Sequence, residues 1–122
     1  MIQGAVGEKS GVCFFKNLDV SMSSLVSKTE GSEVKLYSLD DYFSDKEKPS
    51  IIKADIEGSE LNMLQGAKEI ITDYKPKFAL SLYHNPSDIV LMPELIKQFN
   101  NGYNFAVRTH SPNFEDTLLY CY

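Results

Sequence analysis

The segment from Ser50 to His84 constrains the fold more than any other part of the sequence. Residues 50–56 form a short run rich in β-branched side chains, and Glu57-Gly58 follows as a tight turn. Apolar residues then recur at helical spacing, at positions 61, 64, 67, 71 and 74, and Pro76 ends the helix that they predict. Residues 78–83 predict the next strand. Strand, helix and strand in this order predict a right-handed βαβ unit with two parallel strands.

The region before this unit contains shorter elements. Residues 1–7 and 12–15 predict a strand, a turn and a second strand, and hence a hairpin-like start. The polar, serine-rich segment 16–32 predicts a long loop. Residues 34–37 alternate like a half-buried strand, and residues 39–43 predict one short helical turn.

The region after His84 predicts one or two helices and two strands. Pro86 and Pro93 each suit the start of a helix, and the apolar stripe that follows ends at residues 100–102. Residues 103–109 and 117–122 predict the last strands. The residues between these strands are fewer than the roughly dozen that a parallel crossover needs, so the final pair is expected to be antiparallel.

These elements together predict a single α/β domain over residues 1–122. The strands near 51–56, 78–83 and 103–109 are expected to be mutually parallel, with 117–122 antiparallel between the latter two. Helical crossovers joining parallel strands are typical of this fold class.

The charge of the chain argues against two classes of partner. It has 12 Lys and Arg against 17 Asp and Glu, a net charge of −5, and no cluster of basic residues. Neither nucleic acid nor a membrane surface is therefore predicted as a partner.

The start of the sequence lacks the cationic and apolar regions of a signal peptide, which favours a cytoplasmic location. Cys13 and Cys121 are expected to be free thiols in that compartment.

Polar residues follow three of the predicted strands. Asp55 and Glu57 follow the first, His84 and Asn85 the second, and Arg108 and His110 the third. Open α/β sheets bind ligands at the carboxyl ends of their strands, so these are the candidate site residues. Because adjacent strands lie about 4.8 Å apart, Asp55 and His84 are expected to approach contact distance, with His110 roughly 10 Å from His84.

Each of these residues also has a structural interpretation. Asp55 and Glu57 precede a helix whose N-terminus favours negative charge, so they could serve only as helix caps. A histidine at a strand end is often a hydrogen-bonded surface group. Arg108 could simply form an ion pair with Asp88 or Glu115. The sequence alone leaves these alternatives open.

One motif is similar to that of a known enzyme family. Residues 52–60 read I-K-A-D-I-E-G-S-E and residues 64–67 read L-Q-G-A. This pattern resembles the FkbM family of S-adenosylmethionine-dependent methyltransferases. The resemblance covers most of the chain, most strongly from residue 50 onward, and extends to residues 75–84, 93–96 and 103–110, with weaker similarity at 5–7 and 39–41.

The resemblance implies a Rossmann-like class I methyltransferase sheet with S-adenosyl-L-methionine as the cofactor. The implied reaction transfers a methyl group to a hydroxyl of a small molecule or sugar, with Asp55 or His84 as the base. It also implies that Ala5 lies at the adenine edge of the cofactor. The remaining polar residues are then expected to bind substrate: Glu57, Asn85, Arg108 and His110.

A metal site is considered on the same resemblance and is not predicted. Catechol-type methyltransferases hold a divalent metal at these two strand ends, and Asp55, His84 and Asn85 could imitate that arrangement. However, histidine is a poor Mg²⁺ ligand, and the sequence fixes no second carboxylate beside them.

The sequence departs from the family pattern at its start. Such domains open with a strand that ends in a Gly-rich loop and a second strand that ends in an acidic residue for the cofactor ribose. Neither is found before Ala5-Val6-Gly7, which looks like the end of the third strand. The sequence thus predicts the C-terminal portion of such a domain, lacking the first two strands and able to self-associate through an exposed sheet edge. The alternative is a catalytically inactive α/β structural or interaction module.

Overall fold

The structure is a computed structural model that describes residues 2–15, 32–112 and 116–122. Its seven strands and four helices follow one another along the chain as β1 (Ala5–Val6), β2 (Gly11–Phe15), β3 (Ser32–Tyr37), α1 (Leu39–Tyr42), β4 (Ile51–Ala54), α2 (Glu60–Gln65), α3 (Lys68–Tyr74), β5 (Lys77–Ser81), α4 (Asp88–Phe99), β6 (Phe105–Thr109) and β7 (Thr117–Cys121). The loop predicted over 16–32 falls almost entirely outside the described residues.

The larger sheet has the strand order β4-β5-β7-β6. β4 and β5 are parallel, with Ala54 opposite Leu80, while β7 is antiparallel to both β5 and β6. The predicted α/β fold, including the antiparallel strand inserted at the C-terminal end, is confirmed. β4 is one edge of this sheet, and in the described part of the chain no strand pairs with its outer side.

The core lies between this sheet and the helices α2, α3 and α4. The buried face of the sheet and the helices contribute a continuous set of apolar side chains, which includes Ala54, Phe78, Leu80, Leu119, Met63, Leu64, Ile70, Ile71, Met92 and Ile96.

Both cysteines are free, as predicted, and burial raises the pKa of Cys121 to about 12. None of the described helices combines the length and the apolar character needed to cross a membrane.

The crossover between β4 and β5 differs from the single helix that the sequence predicts. It consists of two helices, α2 and α3, which are separated at Gly66 and Ala67. A Cβ atom at Gly66 would lie 2.1 Å from the carbonyl oxygen of Gly7, so the chain near β1 passes directly over this glycine. The carboxylate of Asp40 accepts hydrogen bonds from the backbone N–H groups of Glu69 and Ile70, at 2.9 and 3.0 Å. A residue from α1 therefore caps the new helix.

The second difference is at Pro93, which lies inside α4 and does not begin a helix. The helix begins at Asp88 instead. A proline in a helix interior removes one hydrogen bond, here to the carbonyl of Ile89 four residues earlier. A carbonyl freed in this way can bond to water on an exposed stretch of helix, and Ile89 is 53% exposed.

The hairpin predicted at the start of the chain is wrong. β1 and β2 do not pair with each other; β3 lies between them, parallel to β1 and antiparallel to β2. The N–H of Gly7 extends this pairing by donating to the carbonyl of Tyr37 at 3.0 Å. β3 pairs with β1 along one edge and with β2 along the other. Three strands arranged in this way satisfy more backbone N–H and C=O groups than a two-stranded hairpin of β1 and β2 would.

Candidate functional site

The candidate site begins at the tight turn that follows β4. Glu57 has a φ angle of 56° and Gly58 one of 88°, so two consecutive residues adopt left-handed conformations. A left-handed conformation costs a residue with a side chain about 1 to 2 kcal/mol, and such strain is found most often at functional sites. The turn reverses the chain between Asp55 and the start of α2, which brings the acidic side chains of this segment together at the end of the strand.

Four side chains form what we call the carboxylate–histidine cluster: Asp55, Glu57, Glu60 and His84. His84 Nε2 lies 3.1 Å from Asp55 Oδ1 and 3.9 Å from Glu60 Oε1, and His84 Nδ1 lies 3.7 Å from Glu57 Oε2. The predicted approach of Asp55 and His84 is present because β4 and β5 are adjacent parallel strands. One imidazole thus lies against three carboxylates.

Tyr83 completes the surroundings of Asp55. Its hydroxyl donates to Asp55 Oδ1 at 2.8 Å. Partial burial raises the pKa of Asp55, but hydrogen bonds from Tyr83 and His84 outweigh this effect, so the net pKa lies below the ordinary value. The same hydrogen bond, with burial and the nearby charges, raises the pKa of Tyr83 to about 12. Asp55 is therefore an ionised carboxylate at neutral pH, and Tyr83 is a neutral hydrogen-bond donor.

Glu60 is a cluster residue that the sequence does not single out as a site residue. Its side chain is 0% exposed although it is acidic. Oε1 accepts a hydrogen bond from the backbone N–H of Ile56 at 2.9 Å, which closes the tight turn, and Oε2 has no hydrogen-bond partner. The sequence carried one signal that could have identified Glu60 as a site residue: it is the last residue of the I-K-x-D-x-E-G-x-E pattern.

Asn85 lies beside the turn and not within the cluster. Its amide nitrogen is 3.3 Å from Oδ2 of Asp88, a buried residue at the start of α4. The same nitrogen would lie only 3.0 Å from a Cβ atom added at Gly58. Asn85 therefore links the start of α4 to the turn. Its predicted contact with substrate stays a prediction.

The helix-cap interpretation of Asp55 and Glu57 finds little support in the geometry. α2 begins after Ser59 and its acidic first-turn residue is Glu60. The hydrogen bonds described for Asp55 come from Tyr83 and His84, and the described ion-pair contact of Glu57 is with His84. These side chains are directed at one another across two strands and not at the N–H groups of the helix.

Arg108 and His110 lie away from the cluster. Arg108 lies within β6, opposite Leu118, and not after the strand as predicted, while His110 directly follows it. β6 is the opposite edge of the sheet, with β7 between β6 and β5. His110 Nε2 lies 2.9 Å from the hydroxyl of Tyr120, and Arg108 lines a separate cavity with Tyr120 and Tyr122. In the described part of the chain, no hydrogen bond or ion pair joins either residue to the cluster, and Arg108 forms no ion pair with Asp88. Glu115 lies outside the described residues.

A cavity of about 450 Å³ adjoins the cluster and lies between β1 and β4. Its walls are mostly apolar, and they include Ala5, Val6, Leu39, Ile52 and Ile56, with Glu57 as a polar group shared with the cluster. Such a cavity, largely apolar with few polar groups, suits a flat aromatic ring such as a nucleobase. The residues present therefore fit the adenine-edge role implied for Ala5.

Comparisons with known proteins show the family of the chain. Residues 3–106 match the family model for the methyltransferase FkbM domain. The crystal structure of methyltransferase FkbM from Methylobacillus flagellatus KT is similar, with 31% sequence identity and a TM-score of 0.75. The alignment covers 98% of this chain and 27% of that protein, so the chain spans about a quarter of its length. Among curated proteins, none matches significantly.

Proposed function

Since the chain belongs to the FkbM methyltransferase domain family, we propose that it carries the acceptor-activating site of an S-adenosylmethionine-dependent O-methyltransferase. The acceptor is a hydroxyl group of a small molecule or sugar. The observation that carries this proposal is the pairing of Asp55 and His84, 3.1 Å apart at the carboxyl ends of adjacent parallel strands. In open α/β sheets this is the edge at which substrates bind.

The chemistry of methyl transfer suits Asp55 as the base. As the new C–O bond forms, the acceptor oxygen develops positive charge and its proton becomes strongly acidic, so an ordinary carboxylate can accept it. Asp55 is 47% exposed and therefore accessible to a substrate, whereas His84 is only 12% exposed. We assign the proton to Asp55, and His84 is the positioning residue that holds this carboxylate through Oδ1.

The cofactor side of the proposal depends on the cavity between β1 and β4. Ala5, Ile52 and Ile56 would contact the adenine ring there, as the apolar lining suggests. S-adenosylmethionine supplies an electrophilic methyl group when bound. Glu57 lies at the boundary between the cavity and the cluster, and it would separate the nucleoside from the acceptor hydroxyl.

A catalytically inactive α/β module is the second candidate function. The observation that favours it is the absence from the sequence of any two glycines spaced as G-x-G, the usual phosphate or cofactor turn. Such a module would keep the fold and the cluster but would transfer no methyl group. The same activity experiment distinguishes the two candidates.

The test is methyl transfer from radiolabelled S-adenosylmethionine to a panel of sugars and small alcohols, measured in a polypeptide that contains this domain. Asp55→Asn keeps the shape of the side chain but removes the base, so we expect the rate to fall about 10²-fold or more with little change in melting temperature. Asp45→Asn is the matched control because Asp45 lies on the surface, and its described ion pair is with Lys46. Equal activity of both variants would refute the assignment of Asp55, and an inactive wild type would favour the inactive module.

A further inference from the structure

Three side chains of the cluster offer ligand atoms to a single ion. One nitrogen of His84 and one carboxylate oxygen each from Asp55 and Glu60 all lie within 4.8 Å of one another. Ligands bound to one divalent transition metal at about 2.0 to 2.2 Å lie roughly 3 to 4 Å apart. The distances of 3.1 Å from His84 Nε2 to Asp55 and 3.9 Å to Glu60 already fall in this range.

The buried carboxylate of Glu60 is a second and independent observation that points to a ligand. Its side chain is fully buried, and its Oε2 atom has no hydrogen-bond partner. The other oxygen is held by the N–H of Ile56 and faces the imidazole of His84. A fully buried carboxylate that receives one hydrogen bond is costly, because it has lost its hydration and gained little in return. A cation bound by this carboxylate would offset that cost.

The charge around His84 supports the same conclusion. Three acidic side chains, Asp55, Glu57 and Glu60, all approach this one imidazole. Among the residues that the structure describes, no lysine or arginine forms an ion pair with any of the three. Buried or partly buried acidic groups are normally paired or coordinate a metal. A divalent cation would pair all three at once.

We propose that Asp55, Glu60 and His84 bind a divalent transition-metal cation of the Mn²⁺ or Zn²⁺ type. Mg²⁺ and Ca²⁺ prefer oxygen ligands alone, whereas a site with one imidazole and two carboxylates suits Mn²⁺ and Zn²⁺ better. The sequence argued against a metal because it fixes no second carboxylate beside Asp55 and His84. In the structure, Glu60 supplies that second carboxylate. The exposed side of Asp55 leaves room for water or a substrate oxygen on the cation. Metal binding is measured independently of the proposed methyl transfer; in the metal-bound form His84 Nε2 is a ligand and does not donate a hydrogen bond to Asp55.

The test is direct binding of Mn²⁺ to the tag-free 122-residue chain after treatment with EDTA. Electron paramagnetic resonance measures free Mn²⁺ during the titration, and Zn²⁺ and Mg²⁺ are then added as competitors. We expect one Mn²⁺ per chain, displaced by Zn²⁺ but not by an equal concentration of Mg²⁺. Absence of stoichiometric binding up to about 1 mM Mn²⁺ would overturn the proposal. Equal competition by Mg²⁺ would overturn the role of the nitrogen ligand.

Two variants and one matched control separate ligation from general attraction of cations. Glu60→Gln is expected to weaken Mn²⁺ binding about tenfold or more, and Asp55→Asn to do the same. Glu60→Gln could fail to fold because Glu60 is buried. Asp55→Asn tests the same ligand set at a side chain that is 47% exposed, where the substitution should not disturb folding. Glu57→Gln removes an acidic group next to the same histidine without removing a proposed ligand, so it is expected to weaken Mn²⁺ binding less than either ligand variant does. If Glu57→Gln weakens binding as much as the other variants, the proposal is wrong.

Discussion

Gly58 is the residue on which the shape of the site depends most directly. Its φ of 88° is strained for any residue with a side chain, and an added Cβ atom would lie 3.0 Å from the amide nitrogen of Asn85. Glu57, directly before it, already adopts a left-handed conformation with a φ of 56°. A substitution at Gly58 is thus expected to act on both stability and site geometry.

We predict that Gly58→Ala lowers the free energy of unfolding by about 1 to 2 kcal/mol, because alanine must adopt a left-handed conformation and press against Asn85. Urea denaturation followed by circular dichroism would measure the change. Gly11→Ala is the matched control, because a Cβ atom there meets nothing within 4 Å and Gly11 has no positive φ. Its effect should be close to zero or slightly stabilising. Equal losses in the two variants would contradict this account of the turn.

Individual site residues differed in how far the sequence could predict them. The approach of Asp55 to His84 was predictable because Asp55 directly follows β4 and His84 lies three residues after β5, its parallel neighbour. Glu60 was not, because an acid in the first turn of a helix is normally exposed, and its burial depends on the tertiary contact with His84. The position of His110 depends on its contact with Tyr120 on β7, which no local pattern reveals.

The element that the sequence describes least well is the crossover between β4 and β5. The apolar spacing from 61 to 74 is continuous, yet the structure has two helices there. The break depends on residues far away in sequence, since Gly7 passes over Gly66 and Asp40 caps α3. The same limit explains the failed hairpin, because β1 and β2 gain more from pairing with β3 than from pairing with each other. Local periodicity predicts the type of element, but contacts between distant segments determine where it ends and with what it pairs.

Asp40 provides a test of this explanation for the break. Its carboxylate accepts two backbone hydrogen bonds at the N-terminus of α3, where negative charge is also favourable. We predict that Asp40→Ala lowers the free energy of unfolding by about 1 to 2 kcal/mol, as loss of a good N-cap does. Differential scanning calorimetry would show the lower melting temperature. Asp73→Ala, near the C-terminus of the same helix, should be neutral or slightly stabilising, since an acid is unfavourable there. A loss in Asp73→Ala as large as in Asp40→Ala would count against the capping role.

On the scale of the whole molecule, no strand pairing joins the two sheets within the described residues. β1 and β4 face each other across the cavity of about 450 Å³, and β4 has no strand partner on its outer side in the described ranges. Ile51, at the start of β4, is 66% exposed. An exposed apolar edge strand is a template for pairing with another chain, because its backbone N–H and C=O groups lack partners.

We expect the 122-residue chain to self-associate at micromolar concentration through the open edge of β4. Lysine on an edge strand opposes such pairing by charge repulsion, so Ile51→Lys should weaken association about tenfold in sedimentation velocity experiments. Ile89→Lys is the matched control, because Ile89 is similarly exposed, at 53%, but lies on α4 and away from the sheet edge. If the wild-type chain is monomeric at these concentrations, the edge does not associate. If Ile89→Lys weakens association as much as Ile51→Lys does, the contact between chains does not involve β4 specifically, and net charge alone controls the association.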